Sequence, residues 1–239
     1  MKLQGKKVVL LGGTSGIGLA VAQAATAEGA EAVIASSNPG RVNEALAVMP
    51  AGSTGRVVDL LDAGAIAGFF ETVGAFDHLV YTAGEALKLS PVASMSLDEA
   101  RTFFELRYWG ALAAAKAAQG KLRPGGSIVF TSGIAGARPG PGWSAAASIC
   151  SAMEGLTRAL AVELAPLRVN IVSPGVVRSP LWRDMDDAVR SAFYVDQADR
   201  LPVGHVGEPE EVAQAYVYLM AQTYGTGQTL VVDGGGVLV

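Results

Sequence analysis

Apolar residues in this chain fall into short runs, separated by longer stretches in which they recur at helical spacing. Lys7–Leu11, Ala32–Ala35, Gly55–Asp59, Asp77–Tyr81, Ser127–Thr131, Arg168–Val172 and Thr229–Val232 read as seven β-strands. The strongest of these runs are apolar at almost every position, as in strands covered on both faces. Gly16–Glu28, Leu97–Gln119, Trp143–Leu164 and Pro209–Met220 read as helices, the last with proline in its first turn. Strand–helix alternation from end to end predicts one α/β domain over residues 1–239, with a doubly wound parallel sheet of about seven strands and helices on both faces. Residues 181–207 break the rhythm. They place Trp182, Phe193 and Tyr194 among Asp184, Asp186 and Asp187. The segment follows a strand end, where open α/β sheets bind ligands, and it reads as a substrate lid.

Composition narrows the function. Half of the 239 residues are hydrophobic, enough to bury a sizeable core. A formal net charge of -4 excludes a duplex nucleic-acid binder, which needs a basic face, and disfavours an anionic membrane surface. Neither a signal peptide nor an apolar run of about 18 residues is visible, so a cytoplasmic location is expected. Cys150 is the only cysteine, which leaves no internal disulfide. The histidines His78 and His205 belong to no cluster with metal-ligand spacing, and no metal is expected.

The chemistry starts at Gly12-Gly13-Thr14-Ser15-Gly16-Ile17-Gly18, between the first strand and the first helix. Glycine is needed where backbone turns with positive φ or approaches a ligand closely. The helix N-terminus behind it offers free N–H groups and a positive dipole end to a phosphate. On the first strand–helix turn of an alternating chain, such a loop predicts a single-domain Rossmann fold binding a dinucleotide. The second strand ends in Ser36-Ser37-Asn38, with Arg41 just beyond and no acid. An acid there would hold a ribose 2′-OH and repel a 2′-phosphate, whereas hydroxyls, an amide and a guanidinium suit the phosphate. NADP(H) is therefore expected rather than NAD(H).

The chain resembles the short-chain dehydrogenase/reductase family over essentially its whole length. Gly12, Gly16, Ile17 and Gly18 match that family's glycine motif, with Leu11 where threonine is usual. Asp59-Leu60 resembles its adenine-contacting segment. Tyr81-Thr82-Ala83-Gly84 resembles its N-N-A-G element, with both asparagines replaced. Pro174, Gly175, Val177 and Ser179 lie in a segment similar to its P-G-x-V-x-T, which holds the nicotinamide amide, and Val232-Asp233-Gly234-Gly235 matches its C-terminal V-D-G-G. The resemblance makes Ser132, next to Thr131, the serine that orients the substrate oxygen.

It also calls for a tyrosine and a lysine four residues apart on one helix face. Counting back from Glu154-Gly155-Leu156-Thr157-Arg158 and from Glu163-Leu164-Ala165-Pro166 puts these positions at Ala146 and Cys150, and Trp143–Cys150 contains neither residue type. By register against Gly110, Arg107 stands where the family has an active-site asparagine. A guanidinium there supplies positive charge near the cofactor ribose or a substrate carbonyl, but it does not donate a proton. Otherwise it is expected to pair with a phosphate, with Glu85, or with solvent at a subunit interface. Tyr194 is a weaker replacement for the absent acid. The expectation is an NADP(H)-dependent oxidoreductase acting on a small carbonyl or alcohol substrate, assembled as a homodimer or homotetramer. The alternatives are a non-catalytic NADP(H)-binding sensor or scaffold and a non-redox enzyme on the same fold.

Overall fold

The computed structural model describes residues 1–239. Its strands are β1 (Lys7–Leu11), β2 (Glu31–Ser36), β3 (Thr54–Val57), β4 (Phe76–Tyr81), β5 (Leu122–Thr131), β6 (Arg168–Pro174) and β7 (Thr229–Val232). They form one sheet in the order β3-β2-β1-β4-β5-β6-β7, all parallel, the doubly wound architecture expected from the strand–helix alternation. The helices are α1 (Gly16–Ala27), α2 (Pro39–Ala47), α3 (Ala63–Val73), α4 (Leu97–Phe104), α5 (Ala111–Ala118), α6 (Ser144–Glu163), α7 (Asp187–Arg200) and α8 (Pro209–Ala221). The long helix expected over 97–119 is instead α4 and α5 joined by a π-turn, Glu105–Gly110. Residues 181–207, expected to form a lid without strand–helix rhythm, contain α7. Asp186 starts that helix by accepting a hydrogen bond from the Ala188 N–H at 2.9 Å.

Alternate residues of each central strand enter different cores. Val9, Leu11, Leu79, Tyr81, Ile128, Phe130 and Ile171 pack beneath α3, α5 and α6. Val8, Leu10, Val80, Val129 and Val172 pack beneath α1 and α8 on the other face. A period of two sends neighbours to opposite faces, and here both faces are covered, which makes the strands continuous apolar runs. Fully burying one such side chain contributes about 1.5–3 kcal/mol. The sheet order reverses direction beside β1, between β2 and β4. The crevice this leaves at the carboxyl ends of β1 and β4 is the ligand position of open α/β sheets.

Candidate active site

A cavity of ≈ 780 Å³ opens along those carboxyl ends, within the size range of small-molecule and cofactor sites. Gly12, Thr14, Ser15, Gly16, Ile17 and Gly18 line its centre. Gly12 has φ +88°, and a Cβ on it would lie 2.5 Å from the Ala83 nitrogen. A Cβ on Gly18 would lie 2.2 Å from the Gly12 carbonyl oxygen and 2.4 Å from Thr82 Oγ1. The loop is thus closed onto Thr82, whose hydroxyl donates to the Gly12 carbonyl at 3.2 Å. Asn38, Asp62 and Ser96 cap α2, α3 and α4 with their side chains, but Ser15 makes no side-chain cap bond to α1. The first amides of α1 are left for an anion. A backbone cradle too tight for side chains, with free N–H groups, fits the pyrophosphate of a dinucleotide.

At one end the cavity is lined by Ser36, Ser37, Arg41, Asp59 and Leu60. Asn38, expected with them, is not on the cavity wall. Its carboxamide oxygen accepts from the Arg41 N–H at 3.1 Å and starts α2, because capping and ligand contact compete for the same short polar side chain. The Arg41 guanidinium has no side-chain partner. Asp59 Oδ1 accepts from the Leu61 N–H at 2.9 Å, which shapes the turn after β3.

Toward the other end the wall is Thr82, Ala83, Gly84, Thr131, Pro174, Gly175, Val177 and Ser179. Gly175 leaves no room for a Cβ, which would lie 2.8 Å from the Asp233 Cα. Asp233 in turn accepts from the Gly235 and Val237 N–H groups at 2.9 and 2.8 Å, so the V-D-G-G segment is a turn braced against the cavity wall. Thr131 lines the cavity with its hydroxyl committed to the Tyr81 carbonyl and Tyr216.

Ser132 and Arg107 both line the cavity beyond this wall, with Ala146 and Cys150 of α6 in the same lining. The Ser132 hydroxyl donates to the Cys150 carbonyl at 3.1 Å. A small cavity of ≈ 50 Å³ separates Arg107 from Ser132 and Cys150, and burial pushes the Cys150 thiol pKa up. Arg107 projects from the π-turn, whose extra residue interrupts the α-helical register; such turns occur often at functional sites. Its guanidinium lies 4.4 Å over the Phe103 ring and against Gly84, where a Cβ would come within 2.6 Å of it. It donates to the Glu85 carbonyl. Its Nε lies 3.3 Å from Glu85 Oε2 without hydrogen-bond geometry, and both atoms are buried and unpaired. Burial lowers the Arg107 pKa, opposed by Glu85, and raises that of Glu85, opposed by Arg107. Glu85 was legible only as a partner for Arg107; its own place on the cavity wall follows no motif.

Residues 181–207 contribute Leu181, Trp182, Arg183, Phe193, Gln197, Arg200 and Leu201 to the lining. Trp182 is buried, with its indole N–H on the Val177 carbonyl at 3.0 Å. Tyr194 is not on the cavity wall. Its ring packs 4.6 Å beneath the Arg178 guanidinium, which removes it as a replacement acid. His78 lies in the core on Ser127, and exposed His205 bonds to Glu211, so neither reaches the cavity. No helix is long and apolar enough to cross a membrane.

The architecture has close relatives. A family model described as Enoyl-(Acyl carrier protein) reductase matches residues 12–236. The short-chain dehydrogenase/reductase ATR9 of Stachybotrys chlorohalonatus is 38% identical, with 99% of this chain and 98% of that protein aligned. A small-chain dehydrogenase solved in complex with NADPH is 35% identical, covering 99% of this chain and 100% of its own, with a TM-score of 0.88. The MalC reductase/Diels-Alderase of Malbranchea aurantiaca is 33% identical, covering 100% of this chain and 98% of its own, with a TM-score of 0.91. With a seven-stranded parallel sheet, a glycine cradle at its switch point and these relatives, the chain belongs to the short-chain dehydrogenase/reductase family of nicotinamide-dependent oxidoreductases.

Proposed function

We propose that this protein is an NADP(H)-dependent oxidoreductase that keeps its family's serine as Ser132, has Ala146 and Cys150 at the tyrosine and lysine positions and uses Arg107 as the cation of its reaction centre, and that it interconverts a small carbonyl compound and its alcohol. The observation that carries this reading is the placement of Arg107. A π-turn, a ring and a glycine hold its guanidinium in the cavity wall beside Ser132, while the α6 positions facing them are Ala146 and Cys150.

The cofactor, when bound, supplies or accepts the hydride. Gly12, Thr14, Ser15, Gly16, Ile17 and Gly18 would hold its pyrophosphate. Asp59 and Leu60 would flank the adenine, and Pro174, Gly175, Val177 and Ser179 the nicotinamide amide. Ser36, Ser37 and Arg41 favour a 2′-phosphate by charge and by the absence of a competing acid. Ser132 turns its hydroxyl from the Cys150 carbonyl to the reacting oxygen and orients it. Arg107 stabilises the negative charge that develops there, in a site dry enough to make the interaction strong. The backbone carbonyl of Glu85 fixes the guanidinium from behind. Arg107 releases no proton, so the alcohol proton is exchanged with water. Residues 181–207 act as the lid, their aromatic side chains covering the opening. Exposed Trp109 and Val162 suit packing between subunits of a homodimer or homotetramer.

The test is NADPH oxidation against a panel of aldehydes and ketones, with Arg107→Ala and Arg107→Lys alongside. Turnover in the wild type, cut at least tenfold in both variants with NADPH still bound, supports the reading. Unchanged rates in Arg107→Ala overturn it. Tight NADPH binding without turnover of any carbonyl favours a second reading, a non-redox cyclase or a binding protein that uses the cofactor as scaffold. Two observations speak for this second reading. The substrate wall lacks a phenol proton donor, and the similar MalC protein is described as both a reductase and a Diels-Alderase.

A further inference from the structure

The ionisable lining at the substrate end of the cavity is lopsided; identifying that end rests on the function proposed above. Arg107 and Glu85 offset one another on its floor. Three further arginines reach the same cavity from separate segments. Arg138 follows the 3-10 turn Ile134–Gly136, Arg183 follows Pro180–Trp182, and Arg200 closes α7. Glu85 is the only Asp or Glu side chain in this part of the wall, since Asp59 sits at the opposite end. The chain has a net charge of -4, so the mouth reverses the sign of the whole molecule.

The three arginines are not equally free. Arg200 is held by Asp196 at 2.7 Å. Arg183 has its neighbour Asp184 at 3.9 Å and the Pro180 carbonyl at 3.4 Å, and its charge also reaches Glu85, with no close carboxylate bonded to it. Arg138 takes part in no ion pair and no side-chain hydrogen bond. Between Arg138 and Arg183 the lining is apolar, with Leu87, Trp143, Leu181 and Phe193. A slot of this kind accepts an apolar body and rejects charge along its length, while guanidinium forks at its mouth, Arg138 unpaired and Arg183 only loosely held, match a planar or tetrahedral oxyanion.

We propose that the substrate carries a carboxylate or phosphate group at the end remote from its reacting carbon, bound at the cavity mouth by Arg138 and Arg183. The apolar body then spans the slot, and the anion fixes which carbon faces Ser132.

Three probes with an aryl ketone body test this: 4-acetylbenzoate, its methyl ester and 4-acetylphenyl phosphate. Each is titrated into the NADP⁺-loaded protein, following the fluorescence of Trp143 and Trp182, which needs no turnover. The expected result is that one or both anions bind about tenfold more tightly than the ester, the effect of one charge-assisted hydrogen-bonded contact. The preferred anion identifies the group. Arg138→Gln and Arg183→Gln should each erode the preference and together abolish it, leaving ester binding and the NADPH dissociation constant unchanged. Equal binding of all three probes, or a preference that survives both substitutions, overturns the proposal. So does a weaker NADPH complex in Arg183→Gln with the preference intact, which assigns that arginine to the cofactor. NADPH oxidation with the same probes separates this inference from the function it rests on. Anion preference without turnover defeats the reductase reading alone, and turnover of ester and acid with equal KM defeats the anion subsite alone.

Discussion

Arg107 occupies its position because several neighbours leave it no other. Gly84 is the most sensitive of them, since a single methyl group there would sit 2.6 Å from the guanidinium. Gly84→Ala should therefore displace Arg107, lowering carbonyl turnover at least tenfold while the far, adenosine-side contacts still bind NADPH. Parallel measurement of kcat and cofactor affinity checks this. Arg107 was legible from register against Gly110, but Gly84 appeared only as part of a motif. Its spatial duty to Arg107 depends on a side chain 23 positions away and is visible only in three dimensions. His78 is a residue of another sort. Burial lowers its pKa to about 4, while Asp77 opposes the shift. The unfolded chain binds the proton first, so neutral His78 contributes stability above pH 6.5 that is lost as the pH falls through 4. Chemical denaturation across that window should show stability falling by up to about 1.4 kcal/mol per pH unit from this group, a slope removed in His78→Gln.

At the scale of elements, the sheet was the most readable part of the molecule and the helical layer the least. Strands such as β1 and β4 announce themselves because every position but Lys7 is buried. The helix α7 did not, because Tyr194 is its only buried residue and its other apolar residues, exposed Val189 and Val195 among them, are scattered among charged ones with little periodic signal. The π-turn was invisible because its residues continue the helical pattern on both sides. Helix α6 carries a consequence of its own. Cys150 lies near Arg107, so a lysine at that position would place two cations in a poorly solvated wall. Cys150→Lys should be destabilising alone and tolerated with Arg107→Asn. A double-mutant cycle by denaturant melting should show a coupling of about 0.5–3 kcal/mol. Helix α1 makes the opposite kind of demand. Gly18→Ala forces its methyl group into the Gly12 carbonyl and Thr82, and NADPH affinity should fall by more than tenfold while the far-ultraviolet circular dichroism stays that of the wild type.

For the whole molecule, cofactor binding and stability are one linked equilibrium. A ligand at a hundred times its dissociation constant stabilises the native state by about 2.7 kcal/mol. In a chain of this length that raises Tm by roughly 5–11 °C. NADPH should produce such a shift and NADH a smaller one, and Arg41→Glu should reverse the order by placing a carboxylate in the first turn of α2, just beyond the end of β2. Equal shifts from both cofactors in the wild type would remove the case for NADP(H). The cofactor half of the cavity was legible because glycines and strand ends recur at fixed places in the alternation. The substrate half was not, because it is assembled from α6, the turn after β5 and residues 181–207, which share no spacing.

On the proposed reading, the closeness of Cys150 to Arg107 also dictates the order of any mutational route between this centre and one built on tyrosine and lysine. A lineage that acquired lysine at position 150 first would pass through a form with two facing cations, whereas one that lost the arginine first would pass through a form with no cation at all. Cysteine, small and uncharged, is compatible with either neighbour. Laboratory evolution toward the more usual centre should accordingly fix the change at Arg107 before, or together with, the change at Cys150, with Ala146→Tyr arriving last, because a phenol is of use only beside a charge that keeps it acidic.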